Sequence, residues 1–495
     1  MRYTDNKIIT IISDNKRETN MSKKALLGGA VIVAAAFAVS PYFTGSALET
    51  NFKKQVAALD AQPAYAAEVV SYEKDYFTSS AVVRVTIDLA SMAADNDELP
   101  ETIEAELDFS AQHGLLLTQY SPGVGLAAWK LSFDGNDLQE YVEWEDGTPI
   151  YQMTGSVGLF GGADYHDWMP ELTAAENADG VAFNFSGYEG HGTVEQERVV
   201  YTGGFKNMTF AVGDQARFKM SDLNLQVDAQ ASLASLLAGS VYGGDSSFSI
   251  KEVSFEDVEM IQPLILSNYQ LTSTSIIDEE QNTASILIKQ GLESVSSESF
   301  TANDLVFNMS MDDLDTSVLE AFQQFASAQD GTDPAKLLEQ QSEFFIQQLP
   351  KIIDDNPSFK IDQLSASLEQ GDMNADMFMQ LADIEQLPDP IDDQAFWFSH
   401  VNSEANMRIE KPVALWLAQK QILMQLRTQL PPAQQDPVQM QQIAEQQAPL
   451  VISTFMQQGF LTEQEDAYVT KVTLKDGKFV LNGTELPVLQ ALQQQ

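Results

Sequence analysis

The feature that most constrains this chain is an alternation of apolar and polar side chains with a period of two, recurring from about residue 66 to residue 311. Ala81, Val83, Val85, Ile87 and Leu89 alternate with Val82, Arg84, Thr86 and Asp88. Leu223, Leu225, Val227 and Ala229 alternate with Asn224, Gln226 and Asp228. Ala284, Ile286 and Ile288 continue the pattern, as do Leu305, Phe307, Met309 and Met311. Successive side chains of a strand point to opposite faces, so each run has one dry and one wet face, as antiparallel sheets do. Gly161-Gly162 and Gly243-Gly244 punctuate the runs. Long helical patterns between them are lacking, which argues against a parallel, doubly wound sheet. The 495 residues, 44% of them hydrophobic, are enough for a large core.

The period changes after residue 312. Asp315 or Thr316 can cap a helix carrying Val318, Phe322 and Phe325 on one face. Asp333-Pro334 is a start signal for a second helix, with Leu338, Phe345 and Leu349 on its stripe and Pro350 interrupting it. Strands are expected near residues 358–368 and 373–380, then a connecting loop from Leu387 to Asp393. A second helical pair is expected from Pro412 to Leu430 and from Pro437 to Gln458, split by Pro431-Pro432. Asp476-Gly477 is a two-residue hairpin turn of the primed type, pairing Lys475 with Lys478, Leu474 with Phe479 and Val472 with Leu481. Asn308-Met309-Ser310-Met311 and Asn406-Met407-Arg408-Ile409 are alike, and each precedes two helices and a strand pair. This suggests an internal repeat over 305–380 and 403–487. The expected fold class is therefore α+β: a β-rich, mainly antiparallel extended sheet, helical pairs in the C-terminal half, and one N-terminal transmembrane helix.

That helix is read from the uncharged run Ala25 to Phe43, which continues to Leu48. About 20 residues span the roughly 30 Å hydrocarbon layer. Lys16, Arg17, Lys23 and Lys24 precede the run, so the N-terminus is expected in the cytoplasm and the body outside it. The rival is a cleaved signal peptide, for which Ala36-Phe37-Ala38 has the small-x-small form, but the run is long for a signal and continues past that point. Residues 1–20 lack signal character, and Met21 would serve as a start. The expected divisions are a cytoplasmic tail (1–24), an anchor (25–48), a periplasmic β-rich region (49–312) and a helix-plus-hairpin region (313–495). Leu48, Phe52, Val56 and Leu59 form the stripe of a short amphipathic helix after the anchor, suited to packing on the body or to lying on the membrane.

Seventy-two acidic residues face 27 basic ones, a net charge of -45. So acidic a body repels phosphate backbones, which excludes nucleic acid as a partner. With no cysteine, disulfides and thiolate chemistry are excluded as well. Of four histidines, His166 lies in Asp164-Tyr165-His166-Asp167-Trp168 and His191 in Glu189-Gly190-His191-Gly192. Their acids make them conceivable ligands, yet neither has the local spacing of a zinc site. His113, before Gly114, reads as a turn residue, and His400, after Phe396-Trp397-Phe398, as a core-edge residue. Asp312-Asp313-Leu314-Asp315 and Asp354-Asp355-Asn356 lack the ligand pattern of a calcium loop, and the first reads as a capping cluster. No nucleophile elbow, P-loop or dinucleotide glycine motif occurs. No catalytic, cofactor-binding or metal-ligating residue is assigned, and no cofactor is expected; the balance leans away from an enzyme.

Val70-Ser71-Tyr72 followed by Phe77-Thr78-Ser79-Ser80 resembles the strand opening of the YdgA-like proteins, Gram-negative envelope proteins grouped as a domain of unknown function. His113-Gly114 falls where that family has His-Gly-Pro, with Leu115 here replacing the proline. Gln348-Leu349-Pro350 and Asp476-Gly477-Lys478-Phe479-Val480-Leu481-Asn482-Gly483 are also similar to the family pattern, and the order of elements agrees over about residues 21–490. The resemblance implies an inner-membrane anchor and a periplasmic body, and brings no assigned activity. The expectation is a non-enzymatic envelope scaffold or binding protein, held in the inner membrane through residues 25–48 and partnered by an envelope protein or an apolar ligand. The alternatives are a carrier of lipid in a sheet-lined groove and an enzyme with an unrecognised site.

Overall fold

The fold is that of a computed structural model, which describes residue 41 and residues 44–489 apart from breaks at 62–64, 89–101, 176–179, 214, 238–240, 259–261, 299, 328–333, 382–383, 385 and 432–434. Most of the expected anchor, 25–48, lies outside the described residues; its last residues, 44–48, belong instead to a helix whose Leu48 packs on the sheet. Among those described, no helix is long and apolar enough to cross a membrane.

Residues 44–60 form helix α1. Its stripe packs on the first strands, β1 (Tyr65–Lys74), β2 (Thr78–Asp88) and β3 (Thr102–His113). Phe52, Val56 and Leu59 cover Ala67, Val83 and Val85, while Leu48 and Phe52 cover Ala81, Phe109 and Ala111. Burying one such side chain fully contributes about 1.5–3 kcal/mol, so the stripe is committed to the sheet. His113, 1% exposed, sits beneath α1: a Cβ at Gly45 would collide with its ring. Glycine there lets helix and strand approach closely.

The strands then continue as one antiparallel meander in which nearly every strand pairs with its sequence neighbours. β3 is followed by β4 (Ala127–Phe133), β5 (Tyr151–Val157), β6 (Ala163–Met169) and β7 (Tyr188–Glu195). Six long strands come next: β8 (Arg198–Val212), β9 (Ala216–Gln230), β10 (Gly243–Asp257), β11 (Leu264–Asp278), β12 (Thr283–Ser297) and β13 (Phe300–Asp315). A further short strand, Val181–Phe185, shares the edge of β8 with β7. The sheet continues with β14 (Ser358–Leu368), β15 (Gly371–Leu381), β16 (Val401–Glu410), β17 (Ala467–Lys475) and β18 (Lys478–Leu481), and a short last strand, Thr484–Leu486, pairs with β18. Local hairpins suffice for such an order, because antiparallel neighbours need no crossover.

A crease runs across the six long strands. On each, the apolar alternation slips by one residue at a polar pair: Lys206-Asn207, Ser221-Asp222, Lys251-Glu252, Ser267-Asn268, Glu293-Ser294 and Asn303-Asp304. One member of each pair drops out of the ladder, and Asp222, Asn268 and Asp304, on alternate strands, have φ of 48°, 51° and 50°. Asp and Asn are the non-glycine residues that best tolerate this left-handed conformation. The extra residue on every strand keeps the apolar rows before and after the crease on one side, as a bulge re-aims side chains. Phe205 and Met208, which flank it on β8, accordingly pack on the same cluster around Ile150, Leu172 and Phe185. Lys206 and Lys251 bracket Asp222 at 3.0 and 3.6 Å, and Asn268 donates to Glu293.

Two helical excursions leave the sheet between adjacent strands. After β13 come α2 (Thr316–Ser327) and α3 (Pro334–Asp354); Asp315 Oδ1 caps α2 by accepting from the amides of Ser317 and Val318. Pro350, expected to interrupt this helix, lies inside α3 without breaking it. The helix runs to Asp354, because Pro350 is exposed and its one missing hydrogen bond is tolerated without breaking the turn. A short helix absent from the sequence reading, α4 (Gln394–His400), follows the Leu387–Asp393 loop, with Asp393 accepting from the amides of Ala395 and Phe396. After β16 come α5 (Lys411–Gln429) and α6 (Pro437–Gln457). The closing hairpin has the expected register, with φ of 50° and 70° at Asp476 and Gly477.

Candidate functional site

Across the long strands the register lines up apolar rows. Phe205, Leu223, Ile250, Tyr269, Leu292 and Leu305 form one row, and Met208, Met220, Val253, Leu266, Val295 and Ala302 form another. The intervening positions, such as Asn224, Gln226, Ser247, Thr272, Lys289 and Asn308, form the polar face. Among the described residues no helix or second sheet packs broadly across these strands. Most of the apolar side chains therefore remain only half-buried, and Phe210 is 43% exposed. Strands of 15 residues at about 3.3 Å per residue, six abreast at about 4.8 Å, give a face of roughly 50 by 25 Å. A monomer ordinarily exposes apolar patches of a few hundred Å².

One end of this face carries a polar pole. Tyr151, Tyr165, Asp167, Tyr188 and Tyr201 share the apolar side on β5 to β8. Both Asp167 oxygens accept from the Tyr201 hydroxyl at 3.2 Å, Tyr188 and Tyr201 share a short hydrogen bond, and the Tyr165 and Tyr201 rings stack at 6.0 Å. Gly190, Gly192 and Gly203 make this possible: a Cβ at any of them would collide with the Tyr201, Tyr165 or Tyr188 side chains. Burial raises the Asp167 carboxyl above the usual carboxylate range, against the Tyr201 hydrogen bond, which lowers it. Burial, and next the Asp167 charge, pushes Tyr165 up to about 12. Tyr151 and Tyr201 are also raised, burial being the largest cause. The phenols thus stay protonated donors at neutral pH.

The reverse, polar face of the same strands holds the two histidines singled out from the sequence. His166 on β6 and His191 on β7 are direct cross-strand partners, their rings stacked 4.5 Å apart. Glu189 lies two residues before His191, hence on the same face, with its Oε1 3.2 Å from His166 Nε2. Ligand-capable atoms of all three lie within 4.8 Å of one another. They border an open cleft of about 750 Å³ near the crease, also lined by Trp168, Thr202, Lys206, Asn224 and Gln226. Zinc-motif spacing missed this group because it was sought within one segment. The usable signal was Glu-x-His on a strand, a one-face spacing, but pairing it with His166 required the register.

The remaining candidates are structural. His113 lies buried under α1, and His400 Nδ1 is 2.8 Å from the Phe396 carbonyl oxygen on α4, with its ring stacked on Phe396. Asp312 binds Lys360 at 2.9 Å, and Asp315 caps α2. Asp355, at the foot of α3, is raised by burial and by the neighbouring Asp315, Asp354 and Asp313 charges.

A family model described as a bacterial protein of unknown function, DUF945, matches residues 21–488. No curated protein and no solved structure matches the chain. Covering nearly the whole length, from before α1 to past the closing hairpin, the match shows that the chain belongs to the bacterial DUF945 family.

Proposed function

We propose that this chain is a membrane-anchored periplasmic binding protein of the YdgA-like kind, and that the apolar face of β8 to β13 holds the acyl chain of a lipid or similar amphiphile. The observation that carries the reading is the continuous, half-exposed apolar face with no second layer across it among the described residues. Burial contributes about 0.8 kcal/mol per methylene, so a dozen methylenes laid on it supply roughly 10 kcal/mol before the cost of immobilisation. The Tyr–Asp pole at one end offers hydroxyl donors of the type a polar headgroup needs. The uncharged run Ala25–Leu48 behind Lys23 and Lys24 supports an inner-membrane anchor that would keep this face beside a lipid source. The crease supports the reading too, since it preserves a single apolar side over 15-residue strands.

Mass spectrometry of the full-length protein, extracted in mild detergent, tests the binding. The expected result is co-purifying lipid that falls markedly in Leu225→Glu and Leu271→Glu. Protein free of lipid, or equal lipid in these variants, contradicts it. N-terminal sequencing of the mature chain tests the anchor: a start at or before Met21 is expected, and a start at Val39 would show a cleaved signal.

A further inference from the structure

We infer that His166, Glu189 and His191 form a binding site for one divalent transition-metal ion of the Zn²⁺ class, open to the cleft on the polar face. Two imidazoles and a carboxylate are a borderline N₂O donor set, suited to Zn²⁺ and its neighbours and poorly suited to Ca²⁺ or Mg²⁺, which prefer all-oxygen shells. The chain has only four histidines, yet two are cross-strand partners on β6 and β7. The strand geometry is selective: Glu189 and His191 share a face because they are two apart, while Gly190 and Gly192 between and beside them leave room for the tyrosines on the other face.

The distances suit one ion. His166 Nε2 and Glu189 Oε1, 3.2 Å apart, already match the edge of a tetrahedral zinc shell, about 3.3 Å. The third ligand lies within 4.8 Å, and His191 is exposed, so a side-chain rotation brings it in. Three protein ligands leave a coordination position for water or a small anion, and Thr202, Lys206, Asn224 and Gln226 line the space it faces. The net charge of -45 raises the local concentration of cations, which favours occupancy without conferring selectivity.

Calorimetric titration of the full-length, chelator-stripped protein with Zn²⁺, in physiological salt with excess Mg²⁺, tests the site. The expected result is one-to-one saturable binding, weakened at least about tenfold in His166→Gln and in His191→Gln and unchanged in Glu171→Gln, an acid that lines the same cleft. Circular dichroism of each variant checks the fold, and Co²⁺ provides a readout independent of mutation: visible absorption of a four- or five-coordinate nitrogen-ligated ion is expected. The inference is overturned by no saturable Zn²⁺ binding above the Mg²⁺ background, by binding that survives in the double histidine variant, or by an equal loss in Glu171→Gln.

Discussion

The two helical pairs leave the sheet at corresponding points, each between a strand and its antiparallel neighbour, yet they spend their apolar residues differently. In α5 and α6 the shared surface is made of small residues at helical spacing. Ala418, Ile422, Ala444 and Ala448 are buried together under Leu415, Leu423, Leu426, Val451 and Ile452. Alanine at these positions lets the helices approach closely, and Val413 and Ala414 tie the pair to Ile409 of the sheet. In α2 and α3 the shared surface is aromatic: Phe322, Phe325, Phe344 and Phe345 form a ring cluster with neighbouring centroids 4.8–6.5 Å apart. Phe322, Phe345 and Ile346 remain 37%, 46% and 48% exposed. One pair is a finished core, whereas the other, beside β13, adds outward apolar surface next to a sheet face over which no second layer packs among the described residues. This half-exposed apolar surface among the described residues is what the proposed apolar ligand would cover.

Mutations separate the two cases. The largest expected effect is in the finished pair: Ile422→Ala should cost about 2–5 kcal/mol, read from the urea midpoint. Ala444→Leu, an overpacking change at a fully buried position, should cost about 1–3 kcal/mol in the same assay. Phe345→Ser and Ile346→Ser in the open pair should each change stability by less than about 1 kcal/mol while lowering retained lipid. Leu450→Ser, on α6 and 66% exposed, should lower neither, so an equal loss of lipid there would erase the contrast between the pairs. The smallest effect concerns Asp167. Burial holds its folded carboxyl above the ordinary aspartate value of 3.8, so the folded chain holds a proton that the unfolded chain has released. Stability is therefore lost as pH rises from near 3.8 through the folded value, and Asp167→Asn should flatten that part of the stability–pH curve. An unchanged slope would show that Asp167 does not couple folding to protons.

Much of the architecture was legible because it is local. The Asp476-Gly477 turn determines its own register, the parity of Ala81, Val83 and Val85 reveals their buried face, and the Leu48–Leu59 stripe needs only a surface to meet. The crease went unread: it leaves only slips such as those at Ser221-Asp222 and Ser267-Asn268, and a slip in one strand reads as a break. Its meaning emerges only when six strands are aligned. The His166–His191 pairing was hidden for the same reason, since it depends on register across the Tyr188 strand. α4 was missed because seven residues carry too little periodicity, and Pro350 misled because an exposed proline can cost a helix one bond without ending it.

Photocrosslinking in native membranes tests the central claim most directly. A photoreactive residue placed at Leu225 or Leu271, on the apolar face, should yield lipid adducts, and one at Gln226 or Thr272, a single residue along the same strands, should yield few. Equal labelling from both faces, or none from the apolar one, would contradict the account.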